Sequence, residues 1–330
     1  MRNNRERLGK SSLAKSGPTL KPVYETDFGR MYIGSAEEVL SHHPLIGEKN
    51  HVQLIFTSPP FPLNRKKKYG NKQGEKYIDW LAGLAGLFRS YLRENGSIVM
   101  EMGNAWEPGK PVMSTLAMKA LLAFQEEGKF HLCQELISHN PARLPSPAQW
   151  VNVERIRLKD SFTRLWWMSP SDRPKADNRR VLKEYSESMK KLLKLGKYNH
   201  GKRPSEHKIG EKSFLKNNGG AIPGNVLTVG EEESIPSTVL EIANTRANDP
   251  YQNYCRTKEL APHPARMPLE LPLFFIKFLT EEDDLVLDSF AGSNTTGEAA
   301  EFLHRRWISI EASPEYAESS RGRFQQLTLL

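Results

Sequence analysis

The chain has 330 residues, 38% of them hydrophobic, with 47 Lys and Arg against 39 Asp and Glu, a formal net charge of +8. At roughly 150 residues per domain this provides about two domains with ample core, and it excludes disorder as the main state. The longest apolar run, 271–279, is broken by Lys277 and is far short of the ~20 residues that span a bilayer, and the opening MRNNRERLGKSS has no apolar segment to act as a secretion signal, so a soluble, cytoplasmic protein with no membrane partner is expected.

In chain order, residues 1–25 read as an N-terminal arm. Apolar, β-rich runs bounded by turn residues then predict seven strands, at 31–33, 52–56, 97–102, 131–137, 163–168, 285–287 and 307–310. Helical periodicity falls between several of them, at 77–93, 113–124, 269–279 and 295–304. This alternation predicts an α/β doubly wound sheet of seven strands, mixed in direction, with ligands at the carboxyl ends of its strands. A further basic helix is predicted over 179–195, with Val181, Tyr185, Met189 and Leu192 on one buried stripe and Gly196 as its stop.

Charge is unevenly placed. Residues 141–220 carry 19 Lys and Arg against 8 Asp and Glu, a net of +11, which leaves the remainder at −3. A basic insert on a mildly acidic body suits a protein in which one module meets a polyanion while the other does chemistry, although a solvated basic helix explains the charge equally well. The segment 197–225, KYNHGKRPSEHKIGEKSFLKNNGGAIPGN, is basic and without period, and 171–258 reads as an insert between a first half, 26–170, and a second half, 259–330. The two cysteines, Cys133 and Cys255, have no partner at metal-ligand spacing, so neither a disulfide framework nor a metal site is expected.

Two motifs carry chemistry. After the strand QLIF comes TSPPF, in which Pro59 and Pro60 lock φ and remove two amide donors, leaving the carbonyls of Ser58 and Pro59 rigidly presented. A flat base with an exocyclic amino group fits such a place: the Ser58 hydroxyl and Pro59 carbonyl accept its two N–H bonds and Phe61 stacks on its ring, at about 1–3 kcal/mol. A proline-rich stop after a strand is the bland alternative. The second motif is VLDSFAGSNTTGEAAEFL, where a strand ends in Asp288 and passes through Gly292 into a helix opened by Thr295 and Thr296. Glycine permits close backbone approach, and a helix N-terminus favours an anionic group. Some 20 residues on, WISI ends in Glu311, placed to accept from both hydroxyls of a ribose. An ordinary strand-to-helix turn with a surface glutamate is the alternative.

As a pair, TSPPF and DSFAGSNTTG resemble the S-adenosylmethionine-dependent DNA amino-methyltransferases of bacterial restriction–modification systems, specifically the cytosine-N4 methyltransferases of the β arrangement. In that arrangement the catalytic motif precedes the cofactor motif and the recognition region lies between them. The resemblance covers nearly the whole chain: MYIGSAEEVL is similar to the cofactor motif ahead of the catalytic strand, GSIVMEMGNAW to the strand after it, 139–169 to the region walling the base pocket, and HPARMPLELPLFFIKFL to the helix leading into the cofactor loop. Ser289 departs from the proline usual in the family. The resemblance implies a circularly permuted Rossmann-like methyltransferase fold, S-adenosylmethionine as cofactor, double-stranded DNA as substrate, and a bacterial or archaeal source. It also implies that a cognate restriction endonuclease acts on the same site without a stable complex, and that the enzyme works as a monomer or homodimer. It places Ser58, Pro59, Pro60 and Phe61 at the target base and Ser35, Asp288, Phe290, Ala291, Gly292, Ser293, Asn294, Thr295, Thr296 and Glu311 at the cofactor. Arg65, Lys66, Lys67 and Lys68 beside the catalytic motif, and Lys202, Arg203, His207, Lys208, Lys212 and Lys216 in the insert, are expected on DNA.

Other chemistries can be set against this. Methylation of a cytosine ring carbon needs a cysteine nucleophile after a strand-end proline, and neither LCQEL nor YCRT offers one. Adenine-N6 methylation remains the alternative, because Ser58 is only associated with cytosine. A nicotinamide oxidoreductase would use the same strand–Gly–helix–acid geometry but predicts G-x-G-x-x-G, which the chain lacks. A DNA-binding protein without catalysis would keep the fold but has no need of intact Ser58, Phe61, Asp288 and Glu311.

Overall fold

The computed structural model describes residues 20–42, 51–62, 72–198, 201–202, 204–206, 208–210, 213–232, 234–240 and 250–325. Its centre is a nine-stranded sheet made from β1 (Tyr24–Glu25), β2 (Gly29–Ile33), β3 (Val52–Thr57), β4 (Leu92–Gly103), β7 (His131–His139), β8 (Phe162–Ser169), β11 (Val226–Thr228), β12 (Leu285–Asp288) and β13 (Arg306–Glu311). Two short hairpins lie outside it, β5 (Ala105–Trp106) with β6 (Met113–Ser114), and β9 (Gly201–Lys202) with β10 (Lys208–Ile209). The strand order is β1-β2-β13-β12-β3-β4-β8-β7-β11. Strands β2, β13, β12, β3 and β4 are parallel, β8 runs against both neighbours, and β7 and β11 again share the direction of β4.

Helices cover both faces. The β3 side chains VQLIFT are all buried, as a central parallel strand requires. On one face α1 (Ala36–His42), α2 (Glu75–Tyr91) and α3 (Leu116–Glu127) cover it, with Tyr77, Leu81, Phe88, Leu121 and Phe124 in the core. On the other, Leu271, Phe275 and Ile276 of the later helix Glu270–Leu279 pack with Ala299 and Ala300 of Thr295–Phe302. The remaining helices are α4 (Glu187–Leu195) and α5 (Pro250–Thr257), after which Glu270–Leu279 is α6, Thr295–Phe302 is α7 and Pro314–Ser319 is α8.

All seven expected strands are present, but the sheet has nine. The added edge strands β1 and β11 are two and three residues long, too short to show a period in sequence. Each forms because an edge offers it unpaired backbone groups: Tyr24 pairs with Met31, and Val226 with Ile137. The predicted helix 179–195 is also corrected. Asn178–Val181 is a single 3-10 turn capped by Asp177, and the chain becomes helical again only after Ser186, whose hydroxyl accepts from the Met189 amide. Tertiary contacts interrupt the period: Val181 is buried, and Arg180 donates to the Thr280 carbonyl and the Glu281 carboxylate. Met189 and Leu192 are only partly buried, whereas Gly196 ends α4 as expected, at φ 62° with its N–H on the Leu192 carbonyl. Similarly, Met113 and Ser114 pair as a strand and α3 starts only at Leu116.

Candidate active site

The order of the sheet reverses between β12 and β3. From β12 the chain passes through α7 to β13 on one side, and from β3 it passes through α2 to β4 on the other. The two connections diverge, so the carboxyl ends of β12 and β3 leave a crevice between them, the usual ligand position in an open α/β sheet. Asp288 and Thr57 stand at those two ends.

Asp288 is buried and holds three donors: the Thr57 hydroxyl at 2.8 Å, the Thr296 hydroxyl at 2.6 Å and the Phe290 amide at 3.1 Å. Burial nevertheless dominates and pushes its carboxyl up to about 6. The loop then turns through Gly292 at φ 53° and Asn294 at φ 58°. A Cβ at 292 would sit 3.1 Å from the His263 ring, in a left-handed conformation that favours glycine, so both space and backbone favour glycine there. Asn294 caps α7 by accepting from the Gly297 amide at 3.1 Å, so this donor of the helix N-terminus is already satisfied from within. Ser293 and Thr295 bond each other, and Ala291 donates to the Ile310 carbonyl at 3.0 Å.

Glu311 ends β13. One carboxylate oxygen accepts from Gly292 N–H at 2.8 Å and the other from Ser313 N–H at 2.9 Å. The Ala312 amide also bonds this carboxylate, and of its about four lone-pair positions one remains for a further donor. Burial raises its pKa as well. Ser35 follows β2, whose last residue Ile33 pairs with Glu311, and it lies exposed with its hydroxyl accepting from the Glu38 amide. Phe290 meets Trp80 of α2 edge-on at 5.7 Å. The Ser289 hydroxyl, in the same loop, is buried without a protein partner. An orphan hydroxyl, a carboxylate with a free acceptor position and an aromatic pair around a glycine turn suit a nucleoside ligand with a polar tail.

The catalytic motif occupies the other lip. Ser58 is partly exposed, Pro59 buried, and Phe61 packs flat against Gly103 at the end of β4, leaving no room for a Cβ there. One residue here went unnoticed in the sequence. Glu101 of β4 is partly buried and accepts from the Thr163 hydroxyl at 2.8 Å and from Ser58, while burial raises its pKa. Its signal was the break in an apolar strand, IVMEM, where a charge lies beside two methionines. A second overlooked residue is Arg323, buried beneath the cofactor loop, with donors on the Ser293 carbonyl, the Ser293 hydroxyl at 2.8 Å and Glu298 at 2.6 Å.

The expected DNA residues divide. Arg65, Lys66, Lys67, Lys68, Arg203, His207 and Lys212 lie outside the described residues. Lys202, Lys208 and Lys216 are exposed, and Lys202 stands directly opposite Lys208 in the β9–β10 hairpin. Like charges directly opposite are unfavourable in a strand pair unless an anion screens them. Neither cysteine reaches the crevice: Cys255 is buried in α5, and the Cys133 thiol in β7 is pushed by burial up to about 11, away from the reactive thiolate.

Residues 52–321 match the family model described as DNA methylase. This chain belongs to the DNA methylase family. It is 42% identical over 306 residues to the type II methyltransferase M.PvuII of Proteus hauseri, covering 92% of this chain and 86% of that protein. The type II methyltransferase M.BglII of Bacillus subtilis is 23% identical over 295 residues, covering 88% and 67%. Among solved structures, one titled PvuII DNA methyltransferase (cytosine-N4-specific) superposes with a TM-score of 0.68 at 36% identity, covering 92% of this chain and 89% of that one. Among the described residues, no group of three or more His, Cys, Asp or Glu could hold a metal ion, and no helix is long and apolar enough to cross a membrane.

Proposed function

We propose that this DNA methylase transfers a methyl group from S-adenosylmethionine to the exocyclic N4 of a cytosine flipped out of duplex DNA at a specific sequence. The observation that carries the reading is Ser58, set at the crevice and bonded to Glu101. A relative covering nine-tenths of the chain is named cytosine-N4-specific, which supports the choice of base.

S-adenosylmethionine, when bound, supplies an electrophilic sulfonium methyl group. Glu311 would hold its ribose, the 289–294 loop its polar tail, and Phe290 with Trp80 its base. The target nitrogen is a poor nucleophile because its lone pair is delocalised into the ring. Ser58 donates its proton to Glu101, which leaves the hydroxyl oxygen free to accept from the target amino group. The Pro59 carbonyl accepts the other N–H, and two acceptors on different sides favour a pyramidal nitrogen. Phe61, braced on Gly103, offers its ring to the base. Glu101, already bonded to the Ser58 hydroxyl and raised in pKa, is the group to which the departing amino proton passes through that hydroxyl.

In this reading residues 26–170 and 259–330 are the two halves of the methyltransferase domain, 1–25 is an arm and 171–258 is the target-recognition insert. The enzyme acts in the cytoplasm, as a monomer or homodimer, and protects sites that a cognate endonuclease would cut. Expression in a methylation-free host, followed by base-resolved mapping, tests the reading. N4-methylcytosine at one short sequence is expected; N6-methyladenine, or no modified base, would overturn it.

A further inference from the structure

The connection from β7 to β8, residues 140–161, rises at the crevice. Phe61 lies on Gly103, Gly103 pairs with Thr163, and Thr163 pairs with Ser138, so the connection leaves the sheet in the same row as the catalytic motif. Because β7 runs parallel to β3 and β4, its end points out of the same edge. The connection is tied down at its base: Asn104 donates to Asp160 at 2.8 Å, Arg143 to the Phe162 carbonyl at 3.1 Å, and Lys159 to the Pro141 carbonyl at 2.7 Å.

Just beyond these ties the connection is unusual in what it shows to water. Leu144 is 80% exposed and Leu158 89%, with Val153 and Ile156 more than half exposed. The helical turn Gln149–Val153 buries no residue. Cations alternate with the last apolar residues of the connection, as Arg155-Ile156-Arg157-Leu158-Lys159. An apolar patch made for a protein partner has a core depleted of charge. Here every apolar side chain of the run is flanked by cations, which suits a partner with anionic edges and an apolar interior, namely stacked base pairs between two phosphate chains.

We propose that residues 140–161 form a wedge that enters duplex DNA at the target site, with Leu144 and Leu158 occupying the space left by the extruded base while the exposed Arg155 and Lys159 meet the flanking phosphates and Arg157, stacked on Trp106, holds the run in place. This rests on the base-flipping reading above but not on which base is methylated. Extruding a base costs unstacking and unpairing, least where the pair is already mismatched. Filling the gap with a branched apolar side chain offsets part of that cost.

The test uses the full chain, as wild type, Leu144→Ser, Leu158→Ser and the double variant, on a duplex with 2-aminopurine at the target position and on matched and mismatched duplexes. Wild type should raise the 2-aminopurine fluorescence. The double variant should lose most of that rise and methylate the matched duplex about tenfold or more slowly, yet approach the wild-type rate on the mismatched duplex, where extrusion costs less. Unchanged S-adenosylmethionine affinity shows that the fold is intact, and Leu158→Met should retain flipping. Equal rate losses on both duplexes, an undiminished fluorescence rise, or an effect confined to the oligomeric state in sedimentation would overturn the proposal. If instead wild type modifies no base in any duplex, the methyltransferase reading has failed rather than the wedge.

Discussion

The Thr57 hydroxyl donates to the Asp288 carboxylate over 2.8 Å, joining the residue that precedes Ser58 to the residue that opens the glycine loop. The two motifs lie more than 200 positions apart in the chain, yet this hydrogen bond joins the ends of their adjacent strands directly. Asp288 also accepts from the Thr296 hydroxyl and the Phe290 amide, so one carboxylate ties the end of β3 to the glycine loop and to the start of α7.

Ser58→Ala and Phe61→Ala should each lower methyl transfer by about 10² or more while leaving S-adenosylmethionine affinity near wild type, since both residues face the base. Single-turnover rates and equilibrium cofactor binding check this together. Comparable loss of cofactor affinity in both would show that they had been placed on the wrong side of the crevice.

Glu101→Gln isolates the carboxylate behind Ser58. Its ionised form is the one able to take a proton, and burial raises its pKa, so the acid limb of the wild-type rate profile should lie above the ordinary carboxylate range. The Gln variant should be slower by about 10²-fold and lose that limb, with cofactor binding unchanged. A variant that keeps both the limb and the rate shows that Glu101 only packs.

Asp288 and Glu311 should both matter to cofactor affinity. Glu311→Ala removes the acceptor for Gly292 and Ser313 as well as the ribose partner, and each lost charge-assisted bond should cost roughly 1.5–3 kcal/mol. Asp288→Asn carries an additional pH signature. Its folded pKa is about 6 against an ordinary 3.8, so the folded state holds the proton more tightly, and wild-type stability falls as pH rises across that interval. The Asn variant lacks this loss, and its melting temperature should gain on wild type between pH 4 and 7, by up to roughly 3 kcal/mol in stability. A pH-independent difference would mean that Asp288 titrates normally.

Much of this was legible in the sequence for a physical reason. Parallel strands buried on both faces read as continuous apolar runs, and SPPF and AGSN are backbone devices whose prolines and glycine announce themselves. What the sequence hid is tertiary. Strands β1 and β11 exist only because Met31 and Ile137 offer edges, and the helix expected from 179 is broken because Arg180 is drawn to Thr280 and Glu281. Glu101 and Arg323 were overlooked for the same reason, since their roles depend on partners 43 and 30 positions away, Ser58 and Ser293.

Arg323 gives the stability counterpart. Buried with Glu298 at 2.6 Å, it cannot be removed without taking the cation from a buried carboxylate, so Arg323→Met should cost about 3–5 kcal/mol and loosen the glycine loop through Ser293. Pairing it with Glu298→Gln should recover part of the stability but not the cofactor affinity, because Ser293 still lacks its donors. Chemical denaturation beside cofactor titration separates these effects. Full recovery of both would remove Arg323 from any positioning role.

The insert should divide phosphate contact from base reading. Lys202 and Lys208 stand opposite each other across a two-stranded hairpin, and Lys216 is likewise exposed; Glu206, 3.9 Å from Lys202, offsets only part of this exposed positive charge, which an approaching phosphate would offset further. Replacing a phosphate-binding lysine with Ala should weaken all DNA alike and lower the slope of log affinity against log salt by about one, whereas losing a base-reading side chain should cost ~1–3 kcal/mol at one base pair and relax specificity there. Lys202→Ala and Lys208→Ala are expected in the first class, and the hairpin itself should become more stable without DNA once Lys208 is removed, since Lys202 keeps its ion pair with Glu206. Exchanging residues 197–225 for the segment of a relative with another target should move the methylated sequence with it. An active chimera that still methylates the original site would place recognition elsewhere in the chain.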